Sequence, residues 1–449
     1  MVLAYNVKKD LMTGFTGMEI QERNYIMYNP LNSLAVNVEK QSPRKPIKAR
    51  FPLRYGKYSE IKTPEYEFIF NLNGEIKFIR GLNANWPHPA EQFKRTDGND
   101  WVYYTVGDDS SDKGIISWLG EYYLPCLPYQ SNTVWKIDYF SNPAVMNAFG
   151  AWSQLYADLY MTPKNRFHSK ARELIDSILD NNDKVLHERS QKLHSITGGR
   201  ISVLPPDTRH VDYEIIPLNI ADGCLFHCKF CCVKSEQQFQ TRPKTDIIEQ
   251  IRQLKAFYGR NLENYNALFL GNHDALAADD EIISFSASKA YEDLGFALNS
   301  DPPLLFLFGS ADSLLKAKDQ LFEDINNFPF YTYINIGLES VDPPTLKFLG
   351  KPLSKSSIEE AFKKMLHINA NYGNIEITAN FVIGEGLSAE HYQSLKNLLR
   401  DAPSATWGKG VIYLSPLIDS PKKRELLPLV TEVKNAISMP VYMYLIQRL

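Results

Sequence analysis

The strongest constraint on the fold of this 449-residue chain is an alternation of apolar runs and amphipathic stretches after residue 212. Short runs rich in Ile, Leu, Val, Phe and Tyr are typical of buried parallel strands: 213–219, 265–270, 303–309, 331–338, 375–383 and 410–414. The stretches between them have helical spacing, and one has Ser356 and Glu359 in capping-box spacing at its start. This order predicts a parallel sheet with right-handed crossovers, either an open doubly wound sheet or a barrel, complete or partial.

The first 200 residues follow a different pattern. Segments 66–70 and 75–79 flank Asn73-Gly74, a dipeptide that supplies the positive φ angles of a tight hairpin turn. A further strand is predicted at 101–106, and segments 143–160 and 166–196 have helical spacing. These patterns together predict an α+β region.

Paired glycines and paired prolines in segment 198–212 punctuate regular structure and mark a boundary. The predicted domains are therefore an N-terminal α+β accessory or specificity domain (1–200), the βα region (201–420), and a C-terminal helix with a candidate extra strand at 439–446 (421–449).

Composition and charge exclude several classes of protein. Hydrophobic residues make up 44% and charged residues 22%, which is typical of a folded globular chain. Forty-nine Lys and Arg against 52 Asp and Glu leave a net charge of −3, which gives no argument for a dedicated nucleic-acid binder. Segment 40–57 carries seven basic residues, and a solvated surface loop is favoured there over a patch for an acidic substrate or polyanion.

Neither a secretory signal nor a membrane segment is visible in the sequence. Residues 1–9 lack a basic start followed by an apolar run, and no stretch approaches the roughly 18 apolar residues of a membrane helix. We therefore expect a soluble cytoplasmic protein without a membrane partner. Only five cysteines occur, and four of them lie within positions 224–232, which is a poor disulfide framework and more typical of a metal site.

The cysteine cluster carries the main chemical signal. Cys224, Cys228 and Cys231 have C-x3-C-x2-C spacing directly after the first predicted strand of the βα region. Three thiolates on a tight loop can hold three corners of a cubane [4Fe–4S] cluster and leave the fourth iron open to a ligand that is not protein. We expect His227 to face away from the three cysteines and Cys232 to be a small buried residue rather than a ligand.

Two other interpretations of the cysteines stay open. A zinc site requires four ligands, yet no second cysteine pair exists and Cys126 lies about a hundred residues upstream. A redox C-x-x-C is formally present as Cys228 and Cys231, but the extra Cys224 and the lack of a thioredoxin-like context disfavour it.

Segment 212–420 resembles the radical S-adenosylmethionine (radical SAM) superfamily, in which an aromatic residue, here Phe230, also precedes the third cysteine. The resemblance implies a partial (β/α)6 TIM-type barrel with the cluster loop after its first strand, at the mouth to which the strand ends point. It also implies a [4Fe–4S] cluster and S-adenosylmethionine as cofactors. The metal ligands would be Cys224, Cys228 and Cys231.

Fragments at the predicted strand ends extend this resemblance. Segment 268–276 is similar to the second-strand motif that holds the methionine amino group, and segment 334–340 resembles the fourth-strand G-x-E-S pattern. Segment 381–386 is similar to the fifth-strand segment whose backbone meets adenine. The cofactor-binding residues implied in this way are Phe230, Gly271, Asn272, Ser310, Glu339, Ile383 and Gly384.

His273 and Asp274 are the candidate catalytic residues. At a strand end they can enter the site as acid/base groups or substrate contacts, because strand-end polar residues line the mouth of this architecture. The alternative is a structural turn in which Asp274 caps the next helix.

By the resemblance, the enzyme cleaves S-adenosylmethionine reductively to a 5′-deoxyadenosyl radical that abstracts hydrogen from an unidentified small molecule, peptide or RNA. An electron donor such as flavodoxin or ferredoxin is the implied protein partner. No cysteine follows Cys232, so no auxiliary cluster is expected, and D-x-H-x-x-G is not found in 1–200, against cobalamin dependence. The alternative class is an iron–sulfur or zinc-binding protein without turnover.

Overall fold

In this computed structural model, the described residues are 26–27, 34–41, 56–87, 92–95, 101–104, 119–123, 138–198, 214–231, 235, 237–271, 273–299, 302–400, 402, 409–417 and 423–447. The sequence predictions for Cys126, Cys232 and Asn272, and for most of the basic segment 40–57, therefore lie outside the described residues.

An antiparallel meander forms the N-terminal part of the described chain. Its strands pair in chain order: β1 (Ile26–Met27), β2 (Leu34–Gln41), β3 (Lys57–Lys62), β4 (Tyr66–Phe70), β5 (Ile76–Gly81), β6 (Gln92–Arg95) and β7 (Trp101–Tyr104). Three helices follow: α1 (Pro143–Met161), α2 (Ser169–Asp180) and α3 (Asp183–Thr197). Apolar side chains of the sheet, such as Phe68 and Phe70, share one buried cluster with Trp152 and Ile175 of the helices.

An eight-stranded parallel sheet forms the second large sheet of the described chain. Its strands are β8 (Leu119–Tyr123), β9 (Glu214–Leu218), β12 (Tyr265–Leu270), β13 (Leu304–Ser310), β14 (Tyr331–Glu339), β15 (Ile375–Ile383), β16 (Ile412–Pro416) and β17 (Val441–Gln447). They are ordered β8-β17-β16-β15-β14-β13-β12-β9, and every described pairing is parallel. The edge strands β8 and β9 are not paired with each other in the described residues, so the sheet is open.

Helices connect the parallel strands as the alternation predicted. In chain order they are α4 (Lys244–Tyr258), α5 (Asp280–Asp293), α6 (Phe296–Asn299), α7 (Ala311–Lys316), α8 (Asp319–Asn327), α9 (Pro343–Leu349), α10 (Lys355–Asn371), α11 (Ala389–Arg400) and α12 (Leu427–Ala436). The α/β fold class is confirmed, and the candidate strand at 439–446 is confirmed as β17.

The two faces of the parallel sheet differ in polarity. Ile334, Ile336 and Ile377 belong to a large apolar cluster with the helices. Side chains that alternate with these point to the opposite face, where Asn335 donates to Thr378 Oγ1 at 2.7 Å and Asn380 donates to Asn335 Oδ1 at 2.6 Å. The face away from the helices is therefore partly polar, although it is buried.

One strand of the parallel sheet comes from the N-terminal 200 residues. Strand β8 pairs in parallel with β17, from Leu119 opposite Met443 to Tyr123 opposite Gln447. A chain segment far from β17 in sequence thus completes the described sheet. The division into three domains stays a prediction.

The predicted capping box of α10 is wrong. The N-cap is Ser354, whose hydroxyl accepts from Ser357 N at 3.1 Å, two positions before the predicted Ser356. Three serines, Ser354, Ser356 and Ser357, lie close together here, and the helix begins at Lys355, which places Ser354 at the N-cap. No described helix is long and apolar enough to cross a membrane.

Candidate functional site

The carboxyl ends of the parallel strands meet at one edge of the sheet, and most of the predicted site residues lie there. Gly271 follows β12, Ser310 and Glu339 end β13 and β14, and Ile383 ends β15. The cysteine loop, residues 223–231, follows β9. Parallel topology therefore brings residues from distant parts of the chain to a common mouth.

A short ribbon closes the base of the cysteine loop. Strand β10 (Ala221–Asp222) pairs antiparallel with β11 (Gln240–Thr241), and Arg242 forms a two-point ion pair with Asp222, Nε to Oδ2 at 2.7 Å and Nη2 to Oδ1 at 2.5 Å. Gly223 has φ +77°, and a Cβ there would lie 2.2 Å from Gln238 O, so only glycine fits at the start of the loop. The ribbon and the ion pair therefore hold together the chain on either side of the cysteine loop.

Among the described residues, the three motif cysteines form no disulfide, and they differ in exposure. Cys228 is buried, whereas Cys224 and Cys231 are half-buried. Burial raises the pKa of the Cys224 and Cys228 thiols, and the Lys351 ammonium acts against this shift at both. Within the described part of the chain, no three His, Cys, Asp or Glu side chains are gathered around a single metal-ion position.

The cysteine loop is also bonded to the end of α9. Lys229 N donates to Leu349 O at 2.9 Å, which satisfies one of the last carbonyls of that helix. Gly350 ends the helix in the left-handed conformation at φ +69°, and a Cβ there would lie 3.0 Å from Lys229 Cγ. Close packing at Gly350 therefore fixes the segment between Cys228 and Cys231.

Glu339, the predicted cofactor residue of β14, is held in an uncommon conformation. Its φ is +65°, a region that costs a non-glycine residue conformational energy. Its carboxylate pairs with the buried ammonium of Lys351, Oε1 to Nζ at 3.1 Å, and the same ammonium donates to Gly337 O at 2.7 Å. Lys351 therefore ties the strained strand end to the segment that follows α9.

Lys351 is a buried cation close to several anionic groups. Burial, the largest influence, lowers the pKa of Lys351, but Glu339, Cys228 and Asp274 outweigh it and the pKa is raised. The lysine therefore stays protonated, and its charge acts on the Cys228 thiol. A cation in this position favours a thiolate, the form of cysteine that binds metal.

A glycine turn follows β12. Gly271 has φ +82°, its N–H donates to Leu218 O at 2.9 Å, and a Cβ would lie 2.7 Å from Ala275 Cβ. The turn leads to His273, whose pKa is lowered by burial. The neutral imidazole is therefore favoured at His273.

Asp274 is a buried carboxyl group without a hydrogen-bond partner. The residue is 8% exposed, and neither carboxyl oxygen has a partner. Ser310 and Ser313 lie beside it, but their groups are used in the cap of α7, where Ser310 Oγ accepts from Ser313 N at 3.1 Å and donates to Ser313 Oγ at 3.2 Å. Burial raises the pKa of Asp274, while the Ser310 and Ser313 hydroxyls and Lys351 oppose the shift.

The predicted helix cap at Asp274 is not made by its side chain. Asp274 precedes the short 3-10 turn Ala275–Ala277, but its side chain forms no cap hydrogen bond. This leaves its carboxyl available at the mouth.

Backbone groups at the end of β15 and just after it form hydrogen bonds with Leu417 and Tyr392. Ile383 O accepts from Leu417 N at 2.8 Å, and the hydroxyl of Tyr392 bonds Gly384 N at 3.0 Å and Gly384 O at 2.7 Å. Tyr392 therefore fixes the turn in which the predicted adenine contacts lie.

A buried histidine joins the ends of β14 and β15. His391 is fully buried; Nε2 lies 3.0 Å from Val382 O and Nδ1 lies 2.7 Å from Ser340 Oγ. A carbonyl oxygen only accepts, so Nε2 carries the proton and Nδ1 accepts from Ser340. Burial lowers the pKa of His391, which keeps it neutral and suited to this role.

The structure brings most predicted site residues to the mouth and adds some that sequence reasoning missed. The cysteine loop, Asp274, Glu339 and Lys351 lie within electrostatic reach of one another, and Phe230 is half-buried in the loop. Lys351, His391 and Tyr392 were missed. A signal existed only for Lys351, which follows the helix-ending Gly350 twelve residues after Glu339.

Comparison with known proteins identifies a domain within the chain. Residues 218–399 match the family model described as the radical SAM superfamily, so this segment is a radical SAM domain. The superfamily prediction is thereby confirmed. No curated protein sequence matches the chain significantly.

Several solved structures show low similarity to this chain. The cobalamin-dependent S-adenosylmethionine radical enzyme OxsB is 13% identical, with a TM-score of 0.33, over 53% of this chain and 32% of that chain. A radical SAM methyltransferase from Sphaerobacter thermophilus is 12% identical, with a TM-score of 0.35, over 52% and 67%. Streptococcus suis SuiB is 13% identical, with a TM-score of 0.34, over 67% and 60%. This chain thus spans about a third of the length of OxsB, and TM-scores this low carry no argument about its substrate.

The residues of the site fit the iron–sulfur cluster that the family implies. The three cysteines form no disulfide within the described chain, and they lie on a loop fixed at its base and at Lys229. In a cubane each cysteine ligates a different iron, so the three sulfurs need not converge on one point as they would around a single ion. The nearby Lys351 ammonium suits a group held by thiolates.

Proposed function

We propose that this protein is a radical SAM enzyme that holds a [4Fe–4S] cluster through Cys224, Cys228 and Cys231 and binds S-adenosylmethionine at the mouth. When bound, such a cluster would supply the one electron needed for reductive cleavage of S-adenosylmethionine to methionine and a 5′-deoxyadenosyl radical, which would take hydrogen from the substrate. The observation that carries this proposal is the C-x3-C-x2-C loop, whose three cysteines form no disulfide in the part of the chain that the structure describes and whose base is fixed by a short ribbon at the carboxyl edge of the parallel sheet.

The chain's own groups orient and shield the reactants. The Gly271 turn and the Ile383-Gly384 turn present backbone on two sides of the mouth, and Tyr392 fixes the second of them. Glu339 offers a carboxylate held in place by Lys351, which suits a contact with the ribose or amino group of S-adenosylmethionine. Phe230, Asn272 and Ser310 complete the proposed cofactor contacts.

His273 and Asp274 are proposed as acid/base groups or substrate contacts. The unpartnered, buried carboxyl of Asp274 supports this role, because such a group is costly to bury unless a ligand supplies a hydrogen bond. The substrate is an unidentified small molecule, peptide side chain or RNA base, and the N-terminal domain is proposed to determine specificity. An electron donor and a cytoplasmic, reducing location are proposed from the same chemistry.

The test is anaerobic reconstitution of the full chain with iron and sulfide, followed by dithionite and S-adenosylmethionine. We expect about four irons per chain and formation of 5′-deoxyadenosine, measured by chromatography. Cys228→Ala should lose both iron and product while keeping the far-ultraviolet circular dichroism of the wild type. Cys126→Ala, a cysteine outside the motif, serves as the matched control and should keep both.

Two outcomes would overturn the proposal. Normal 5′-deoxyadenosine formation by Cys228→Ala would exclude the assigned ligands. One zinc per chain in place of iron and sulfide would favour the alternative of a zinc-stabilised protein without turnover. If product forms, deuterium transfer from candidate substrate pools into 5′-deoxyadenosine identifies the substrate.

A further inference from the structure

We propose that Asn380 of β15 selects the substrate, and that the group it recognises is an uncharged amide edge, a hydrogen-bond donor beside an acceptor. Asn380 lies three residues before Ile383, the last residue of β15. Its side chain lies on the inner face, which is the side of the parallel sheet away from its helices. The inference rests on the proposed function, because the ligand concerned is the substrate of that reaction.

A row of residues crosses the sheet at the level of Asn380. Five of them are successive Cα partners, one on each strand from β13 to β17: Ser310, Gly337, Asn380, Tyr413 and Tyr442. Partners on neighbouring strands share a face, so Tyr413 and Tyr442 lie on the inner face with Asn380. Tyr442 is half-buried and Asn380 is 9% exposed, whereas Asn335 and Thr378, one row lower, are fully buried. A ligand that enters from the mouth therefore meets this row first.

The same row passes beneath the ion pair of Glu339 and Lys351. A Cβ on Gly337 would lie 2.5 Å from Glu339 Oε1 and 3.1 Å from Lys351 Nζ, so the ion pair covers this glycine. Gly337 is the Cα partner of Asn380, and neighbouring strands lie about 4.8 Å apart. A ligand bound to Asn380 would therefore lie next to the carboxylate that is proposed to contact S-adenosylmethionine.

Two buried side chains fix the orientation of the Asn380 amide. The amide nitrogen of Asn380 donates to Asn335 Oδ1 at 2.6 Å, and its oxygen accepts from Asn335 Nδ2 at 3.3 Å. Asn335 Nδ2 also donates to Thr378 Oγ1 at 2.7 Å. In the described chain the Asn380 amide bonds only with Asn335, so one of its two N–H groups and one oxygen lone pair stay available.

The available groups of Asn380 determine which ligand edge is complementary. An asparagine amide presents a donor and an acceptor in one plane, and an amide edge of a ligand presents the matching acceptor and donor. Asparagine reads the edge of adenine in nucleic acids through the same kind of two-point contact. An amide that is already held in place loses little conformational freedom when the ligand binds.

The inner face disfavours a charged ligand. Among its described residues on β12 to β17 below the ion pair, only Glu376 has an acidic or basic side chain. Glu376 lies four residues before Asn380, about 13 Å along the strand, and its Oε1 accepts from Gly410 N at 3.2 Å. A carboxylate, phosphate or ammonium group at Asn380 would therefore lose water without gaining a charged partner.

Aromatic side chains lie near Asn380 on the inner face. Phe308 is the Cα partner of Asn335, one row below, and is half-buried. The rings of Tyr413 and Tyr442 lie 6.2 Å apart between their centroids. Such rings pack well against a planar ligand. An amide carried on a ring or another planar group therefore fits this part of the inner face.

The experiment uses three probes of nearly the same shape. Benzamide has the amide edge, benzoate is an anion with acceptors only, and benzamidine is a cation with donors only. Asn380→Asp replaces the donor of the side chain by an acceptor with little change in volume. Asn371→Asp, at the exposed end of α10, is the matched control. Anaerobic equilibrium dialysis of the full, cluster-loaded chain with S-adenosylmethionine and without reductant measures binding in the absence of turnover.

We expect the wild type to bind benzamide about tenfold more tightly than benzoate or benzamidine, which is the discrimination of one two-point contact. Asn380→Asp should reverse the order and bind benzamidine about tenfold more tightly than benzamide, because a carboxylate accepts from both amidine nitrogens. Asn371→Asp should keep the order of the wild type. If Asn380 only supported the fold, all three probes would bind more weakly to Asn380→Asp by the same factor.

Thr378 allows a second test that leaves Asn380 in place. Thr378→Val removes the hydroxyl that accepts from Asn335, which loosens the Asn380 amide, and should weaken benzamide binding about threefold. Thr378→Ser keeps the hydroxyl and should bind benzamide as the wild type does. Circular dichroism checks the fold of every variant. If Asn380→Asp does not fold, equal benzamide affinity in the two Thr378 variants would contradict the inference.

Three results would overturn the inference: no binding of benzamide to the wild type at millimolar concentration, an unchanged order of probes in Asn380→Asp, or a loss of S-adenosylmethionine affinity as large as the loss of benzamide affinity. The last result would make Asn380 a cofactor contact. Failure of the proposed function is measured separately, as the absence of 5′-deoxyadenosine when the loaded wild type is given dithionite. In that case substrate selection by Asn380 fails as well, even if the preference for benzamide is retained.

Discussion

Lys351 is the residue on which the electrostatics of the site depend. Its buried ammonium neutralises Glu339, bonds Gly337 O and acts on the Cys228 thiol. Removing one partner of a buried ion pair leaves an uncompensated charge, whereas removing both is often tolerated. Removing the positive charge of Lys351 and removing the negative charge of Glu339 should therefore shift the reduction potential of the cluster in opposite directions.

Lys351→Met should make the reduction potential of the cluster more negative, because a positive charge that favours the added electron is lost. Glu339→Gln should make it more positive for the converse reason. The double variant should return close to the wild-type potential, since its net charge change is zero. Redox titration followed by the visible absorbance of the cluster measures this, and shifts of the same sign in both single variants would contradict it. Lys351→Met should also lower the free energy of unfolding by about 3 kcal/mol.

His391 makes stability depend on pH. Burial lowers the pKa of His391 in the folded state, so the unfolded state binds more protons at acid pH. Neutral His391 therefore stabilises the fold above about pH 6.5, and this stabilisation is lost as the pH falls below that value. Asp342 and the Tyr392 ring are the groups that face it. His391→Gln should lower the free energy of unfolding at pH 7.5, yet show a smaller further loss at pH 5.5 than the wild type. Urea denaturation at the two pH values measures both, and equal pH slopes would contradict the assignment. His273 and Asp274 titrate in both proteins, so their effects cancel.

At the scale of elements, three glycines determine how the segments around the mouth turn. Gly223, Gly271 and Gly350 have positive φ, and a Cβ at each would meet a neighbour at 3.0 Å or less. These three positions shape the cysteine loop at its base, the turn after β12, and the helix end on which the loop rests. The shape of the mouth therefore depends on the close approach of neighbouring atoms to these glycines as well as on hydrogen bonds.

Gly271→Ala should lower the free energy of unfolding by roughly 2 kcal/mol, because alanine is strained at φ +82° and would meet Ala275 Cβ at 2.7 Å. Gly373→Ala is the matched control, since nothing lies within 4 Å of a Cβ there. The control should be neutral or slightly stabilising. Urea denaturation followed by tryptophan fluorescence measures both, and equal effects would show that the Gly271 turn tolerates a side chain.

At the scale of the whole molecule, asparagine side chains join the N-terminal sheet to the segments around β12 of the parallel sheet. Asn264, just before β12, accepts from Lys57 N at 2.7 Å and donates to Lys57 O at 2.9 Å, and Asn73 donates to Tyr258 O at 2.9 Å. A Cβ on Gly56 would lie 2.3 Å from Asn264 Oδ1. Specific hydrogen bonds therefore hold the N-terminal sheet against the segments that precede β12.

Asn264→Ala should lower the free energy of unfolding by about 2 kcal/mol, because it leaves partly buried backbone groups of Lys57 without the partners that Asn264 provides. It should also separate the unfolding of the two parts into two transitions. Glu263→Gln is the control, since Glu263 pairs with Lys57 in a partly exposed ion pair at 2.7 Å, for which about 0–1 kcal/mol is expected. Calorimetry distinguishes one transition from two, and a single transition of unchanged midpoint would contradict the role of Asn264.

The sequence by itself determined the α/β class, the parallel strands and the cysteine loop, because each depends on local periodicity or spacing. Strands 265–270 and 375–383 agree with the structure residue for residue, since fully buried strands are continuous apolar runs. Only the tertiary structure decided that β8 joins β17, that Ser354 caps α10, and that Lys351 lies between Glu339 and Cys228. These features depend on which distant segments meet, and contacts between residues far apart in the chain leave no periodic signal in either segment.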